Sequence, residues 1–138
     1  MSERLSRSSL PIFAAGFLAT LGLLSANPSW SGTIDPVLTP HRASGAGPLA
    51  VVFDTTGTTA STTSRPFHEL DYAWNFGDPA SGTWQTTGRS RDRGRGPVTG
   101  HVFEPDFEPG EASRDFLVTL TVRDADGDMA STTTTITV

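Results

Sequence analysis

The chain contains no cysteine and no lysine. Without cysteine there are no disulfides, no thiolate metal sites and no Cys nucleophile. Without lysine, all ten basic residues are arginine, set against 15 acidic residues for a formal charge of −5. That balance excludes the uniform basic field that a nucleic-acid partner requires. Catalytic motifs are missing as well. There is no Gly-x-Ser-x-Gly and no His-Glu-x-x-His, and His41, His68 and His101 stand isolated in sequence. The acidic residues form no obvious spaced pair. The roles needed for an active site cannot be filled, so the chain reads as non-enzymatic. Beyond residue 26 no stretch carries a convincing 3.6-residue apolar period.

The N-terminus has the parts of a secretory signal peptide. Met1 to Arg7 carries Arg4 and Arg7, and Leu10 to Ala26 follows as a 17-residue uncharged run ending in Ser25-Ala26. A positive flank, an apolar stretch and small residues at its end predict a signal over 1–26 with cleavage after Ala26. A retained signal-anchor is the alternative, because 17 residues touches the lower limit for a spanning helix. A membrane partner is expected only in that case. Either way the remainder is expected outside the cytoplasm, secreted or at the cell surface. A linker over 27–32 and one domain over 33–138 complete the expected organisation.

The rest of the chain has one texture. Short alternating runs are separated by clusters of Gly, Pro, Ser, Thr and Asp. They cover residues 33–39, 49–54, 70–76, 83–87, 98–103, 116–123 and 129–138. Seven short strands with turn signals between them predict an all-β sandwich. In the clearest run, Phe116, Val118, Leu120 and Val122 share one face by the strand period of two. Tyr72, Trp74 and Phe76 share a face in the same way. These three, with Val118, Leu120 and Val122, are the expected core.

Asp124-Ala-Asp-Gly-Asp128 lies between the last two runs. Asp-Gly between strands predicts a tight hairpin, with Gly127 supplying the positive φ. Alternating Asp124, Asp126 and Asp128 are also candidate calcium ligands. The spacing is not that of an EF-hand, since Met129 stands where Gly should be and Thr135 where Glu should be. No other cofactor is expected.

Four segments carry a family resemblance. Tyr72-Ala-Trp-Asn-Phe-Gly-Asp78 is similar to the Y-x-W-D-F-G-D-G pattern of the PKD domain, the immunoglobulin-like repeat named after polycystic kidney disease. Gly100-His-Val-Phe103 resembles that family's H-x-Y/F strand. Residues 116–127, FLVTLTVRDADG, resemble its Y-x-V-T-L-x-V-x-D-x-x-G segment, and residues 48–54, PLAVVFD, its P-L-x-V-x-F-x strand. The motifs occur in the family's order over residues 33–138. The resemblance implies a seven-stranded immunoglobulin-like β-sandwich that is extracellular, non-catalytic and monomeric. It also implies a role as spacer, adhesion module or mediator of protein–protein or protein–carbohydrate interaction. Such domains accompany secreted proteases and polysaccharide hydrolases, and some microbial members bind calcium.

The chain departs from that pattern at Asn75, where Asp is commoner, and at Pro79, where Gly is usual. Pro cannot take a positive φ, so the turn after Asp78 must differ. Gly77 and Asp78 are expected to end the strand, with the Asp78 carboxylate accepting from backbone N–H groups. Two connections are long, 79–97 and 104–115, and such loops are where an added function sits. The first holds Arg89, Arg91, Arg93 and Arg95, whose guanidinium groups suit sulfate, phosphate or carboxylate; the alternative is a solvated loop. Trp84 lies in the same connection, either packed at an edge or exposed as a platform for a sugar ring, with Trp30 as a second. The candidate ligand-binding residues are therefore Trp84, Arg89, Arg91, Arg93 and Arg95, and the candidate partners an extracellular protein or polysaccharide. Immunoglobulin-type topology places this Arg loop beside Asp124–Asp128, opposite the acidic connection 104–115. His101 is expected to be structural, hydrogen-bonded to a loop.

Overall fold

Alternation of apolar with polar or β-branched residues builds the molecule from strands. The computed structural model describes residues 32–138. The expected signal segment over 1–26, most of the 27–32 linker and Trp30 lie outside the described residues. In chain order the first strands are β1 (Ile34–Asp35), β2 (Thr39–Pro40), β3 (Leu49–Asp54) and β4 (Thr59–Ala60). A single helical turn, α1 (Pro66–Glu69), precedes β5 (Asp71–Asn75). A 3-10 turn over Pro79–Ser81 comes next, then β6 (Arg93–Arg95), β7 (Val98–Phe103), β8 (Asp115–Arg123) and β9 (Met129–Thr137). Among the described residues no helix is long and apolar enough to cross a membrane.

The strands form two facing antiparallel sheets and a small annex. One sheet has the order β2-β3-β7, the other β6-β5-β8-β9, and β1 pairs with β4 apart from both. This is an immunoglobulin-like β-sandwich. Every inward position comes from the period of two. β3 contributes Leu49, Val51 and Phe53, β5 Tyr72 and Trp74, and β8 Phe116, Val118, Leu120 and Val122, all buried. Phe76, just past β5, is buried with them. Phe53 sits at the centre of an aromatic cluster, its ring 5.6 Å from Trp74, 5.8 Å from Phe76 and 6.4 Å from Phe103. Aromatic pairs at such separations add about 0.5–1.5 kcal/mol each beyond their buried area. The Trp74 indole N–H is satisfied by the Gly96 carbonyl at 2.8 Å.

The strand boundaries differ from the sequence pattern in five places, one of them the added short strand β4. The run at 33–39 splits in two, because Pro36 has no N–H to give a ladder; Ile34–Asp35 turns to β4 and Thr39–Pro40 to β3. Residues 83–87 form no strand. The Trp84 N–H bonds the Arg89 carbonyl, and Gly88 N–H returns to the Trp84 carbonyl, which folds the segment into a tight loop with one bridge, Thr83 to Ser90. Part of the Arg-rich stretch is instead a strand, β6, paired with β5. Lastly, α1 is initiated by Pro66 at its first position, where a missing N–H costs nothing.

Register also corrects the placement of the loops. Asp71 pairs with Arg123 and Asn75 with Thr119. The chain therefore leaves β5 at the end where β8 begins, and residues 79–92 lie at the same end as the acidic connection into β8. Asp124–Asp128, which follows β8, lies at the other end.

Candidate functional site

The turn after β5 is built around two carboxylates. Gly77 has φ of +69°, and a Cβ there would overlap the Leu117 carbonyl oxygen. Glycine is required at this position by both its conformation and its closeness to β8. Pro79 then opens the 3-10 turn, so the residue that departs from the family pattern serves as a helical first position. The Asp78 carboxylate does not accept from backbone N–H groups. It faces His101, with Oδ2 2.8 Å from Nε2. The backbone acceptor is Asp92, whose Oδ1 takes the Asp78 N–H at 2.6 Å. Both members of the Asp78–His101 pair are buried, with side chains 8% and 6% exposed. The His101 ring is sandwiched by aromatics, stacked on Phe76 at 4.4 Å and edge-on to Phe103 at 4.6 Å. His101 is thus a structural link between edge strand β7 and the loop that follows β5.

Outside this link lies a groove with a volume of about 650 Å³, within the range usual for ligand sites. Its floor is the outer face of the β3–β7 pair, where Ala50 is opposite Val102 and Val52 opposite Gly100. Val52 and Val102 are each about half exposed. Gly100 leaves the floor open, since a Cβ there would meet only ordinary contact with the Val51 carbonyl. Trp84 forms one wall, and it is 54% exposed. The Arg91 guanidinium lies 4.9 Å from the Trp84 ring centroid, a separation at which the cation is attracted to the ring face. Arg93 and Glu104 complete the polar lining.

The Arg-rich segment is divided by the period of two. Gly94 points inward, where a Cβ would crowd Phe76 and Thr99, and Arg93 and Arg95 point out. Arg91 and Arg93 line the groove, whereas Arg95 turns to Asp71 in an exposed ion pair at 3.3 Å. Arg89 does not line it. The groove floor, Val52, Gly100 and Val102, was missed by sequence reasoning. Its signal was the apolar outward positions in β3 and β7, which a strand with a solvated face does not need.

The Asp124 turn has its own geometry. Gly127 takes φ of +94°. Asp124 Oδ1 accepts from the Asp126 and Asp128 N–H groups at 3.1 and 2.9 Å, and Oδ2 from the Thr62 hydroxyl at 3.2 Å. Asp128 Oδ2 accepts from the Gly32 N–H. Asp126 is exposed. Among the described residues no group of three or more His, Cys, Asp or Glu side chains is placed to hold a metal ion.

The two facing sheets define the class: the described residues form a β-sandwich domain. The chain matches no protein-family model and no curated protein. Among solved structures it is similar to one described as the structural basis for the promiscuous specificity of carbohydrate-binding modules from the β-sandwich superfamily. That likeness has a TM-score of 0.53 at 20% identity, over 75% of this chain and 33% of that one, so this chain spans about a third of its length. It is also similar to the PKD1 domain of Vibrio anguillarum Epp, with a TM-score of 0.45 at 19% identity, over 78% of this chain and 93% of that one.

Proposed function

We propose that the chain is a non-catalytic, extracellular PKD-type module that works by binding, with a polysaccharide as its partner and the groove beside β7 as its recognition surface. The observation that carries this reading is Trp84, more than half exposed and standing over an apolar sheet face. A large aromatic left in water at the mouth of a groove provides a flat apolar surface for a sugar ring, at little conformational cost. The likeness to a carbohydrate-binding β-sandwich supports the fold on which such a surface would sit. The non-catalytic part rests on the dyad's surroundings. His101 Nε2 is engaged by Asp78, and the nearby Ser81 hydroxyl donates to the Asp78 carbonyl instead of to the imidazole. A nucleophile bonded to a base is therefore not assembled there. An accessory role beside a secreted hydrolase fits this reading, and so does service as a spacer between other domains.

Pull-down on insoluble cellulose, chitin and collagen tests it. Retention on a polysaccharide, lost in Trp84→Ala with the melting temperature unchanged, is the expected result. Retention on collagen alone would favour a protein partner, and no retention on any of the three would favour a spacer.

Calcium held by Asp124, Asp126 and Asp128 is a separate proposal with less in its favour, because both Asp124 oxygens already accept hydrogen bonds. A thermal scan decides it: a melting temperature raised by millimolar calcium carries the idea, and one left unmoved ends it.

A further inference from the structure

The polar lining of the groove narrows the class of sugar. Two guanidinium groups, Arg91 and Arg93, lie on it. Neither has an ion-pair partner among the described residues, while Arg95 and Arg114 are paired with Asp71 and Glu111. Arg91 is instead held against Trp84. A cation held over one face of the indole covers part of that face and lies within reach of a charged substituent on a sugar placed in the groove. The planar fork of arginine matches a carboxylate with two parallel hydrogen bonds. Against these two cations the groove sets Glu104, with the Asp78 carboxylate already turned to His101. The surplus positive charge is small, and the chain as a whole is acidic at −5. That balance suits one charge per sugar and opposes a densely charged polyanion.

We infer that the groove takes a uronate-containing glycan, its carboxylate held by Arg91 and Arg93 and its ring set against Trp84 and the Ala50–Val52–Val102 face. The inference rests on the polysaccharide reading above and adds the charge. A glycan without carboxylates keeps the stacking and loses the arginine contacts. A sulfated glycan of high charge density gains attraction from the arginines but meets repulsion from Glu104 and from the acidic domain.

Binding by the whole chain to soluble polygalacturonate, to the same polymer with its carboxyl groups reduced, and to dextran sulfate tests the inference by affinity electrophoresis and calorimetry. Polygalacturonate should bind, and the reduced polymer should bind about tenfold to a hundredfold more weakly, the range expected for hydrogen bonds to a charged group. Arg91→Gln and Arg93→Gln should each weaken binding to polygalacturonate alone, with unchanged circular dichroism and melting temperature. Raised salt should weaken that binding too. Gly100→Leu, which fills the floor, should abolish binding of both polymers. Equal binding of native and reduced polymer, unaffected by the Arg variants, overturns the carboxylate assignment while leaving a glycan-binding groove. Tighter binding of dextran sulfate overturns it as well. Binding to none of these, together with no retention on cellulose or chitin, overturns both readings.

Discussion

His101 Nε2 and Asp78 Oδ2 lie 2.8 Å apart, joining strand β7 of one sheet to the loop that leaves β5 of the other. Both side chains are more than nine-tenths buried. Removing one partner strands the other in a low-dielectric interior, which is costlier than never having the pair. Asp78→Ala and His101→Ala should each destabilise the domain by about 3 kcal/mol. The double variant should lose less than the sum, with a coupling of about 1–3 kcal/mol. Urea unfolding of the four proteins measures it. Additive losses would mean that the two residues stabilise the domain separately, His101 through its rings and Asp78 through its turn.

Gly77 makes the same loop possible by a different means. Its φ is +69°, and the Leu117 carbonyl stands where a Cβ would go. Gly77→Ala should cost about 2–4 kcal/mol, from left-handed strain together with a displacement of β8. Gly88→Ala is the control. Gly88 has φ of +68° with nothing near a would-be Cβ, so its cost should be limited to about 1–2 kcal/mol of backbone strain. A pair of melting curves separates the two effects, and equal losses would remove the role assigned to Leu117.

These two residues also mark what the sequence could and could not disclose. The period-two runs place β3 and β7 where the strands are, because their inward residues, Leu49, Val51 and Phe53 in β3 and His101 and Phe103 in β7, recur at every second position. Gly77 and Asp78 are recognisable as a strand-ending turn. The destination of the Asp78 carboxylate is not, since His101 is 23 residues away in the chain and meets it only once β7 lies at the sheet edge. β6 escapes notice for a local reason. Its single inward position is Gly94, half-buried and kept small by Phe76, so the inward strand position carries no apolar letter. The groove is the least legible feature. It exists because loop 79–92 leaves β5 at the end of the sandwich next to Glu104, a fact of register that motif order alone reversed.

Tyr72 makes the domain sensitive to alkali. Burial raises the phenol above its ordinary value of 10.0, with a partial offset from the nearby Thr55 hydroxyl. The folded state therefore holds the phenolic proton after the unfolded chain has released it. The stability contributed by neutral Tyr72 is complete below pH 10.0 and is lost as pH rises from there through the folded value. Tyr72 is the only tyrosine, so the phenolate absorbance reports on this one group. Its titration should be shifted upward and should coincide with loss of near-ultraviolet circular dichroism. Tyr72→Phe should withstand a higher pH. A titration at the ordinary value with the fold intact would count against this account.

Asp124 closes the β8–β9 hairpin by accepting from three donors, the Asp126 and Asp128 N–H groups and the Thr62 hydroxyl. Its own N–H bonds the Asp128 carbonyl at 3.1 Å, completing the turn. Asp124→Ala leaves two backbone donors and a hydroxyl without their acceptor. It should cost about 2 kcal/mol, the usual range for hydrogen bonds to a charged group. Asp124→Asn keeps a carbonyl in place of Oδ1 and should recover part of that loss. Asp126→Asn alters an exposed carboxylate that accepts none of these bonds, and it should change stability by no more than about 0.5 kcal/mol. The ranking Ala, then Asn, then the Asp126 variant should be the same in millimolar calcium and in chelator, because a turn closed by hydrogen bonds needs no cation. A ranking that collapses in chelator, with all three variants then equal to the parent, would transfer the stabilisation from the hydrogen bonds to a bound ion.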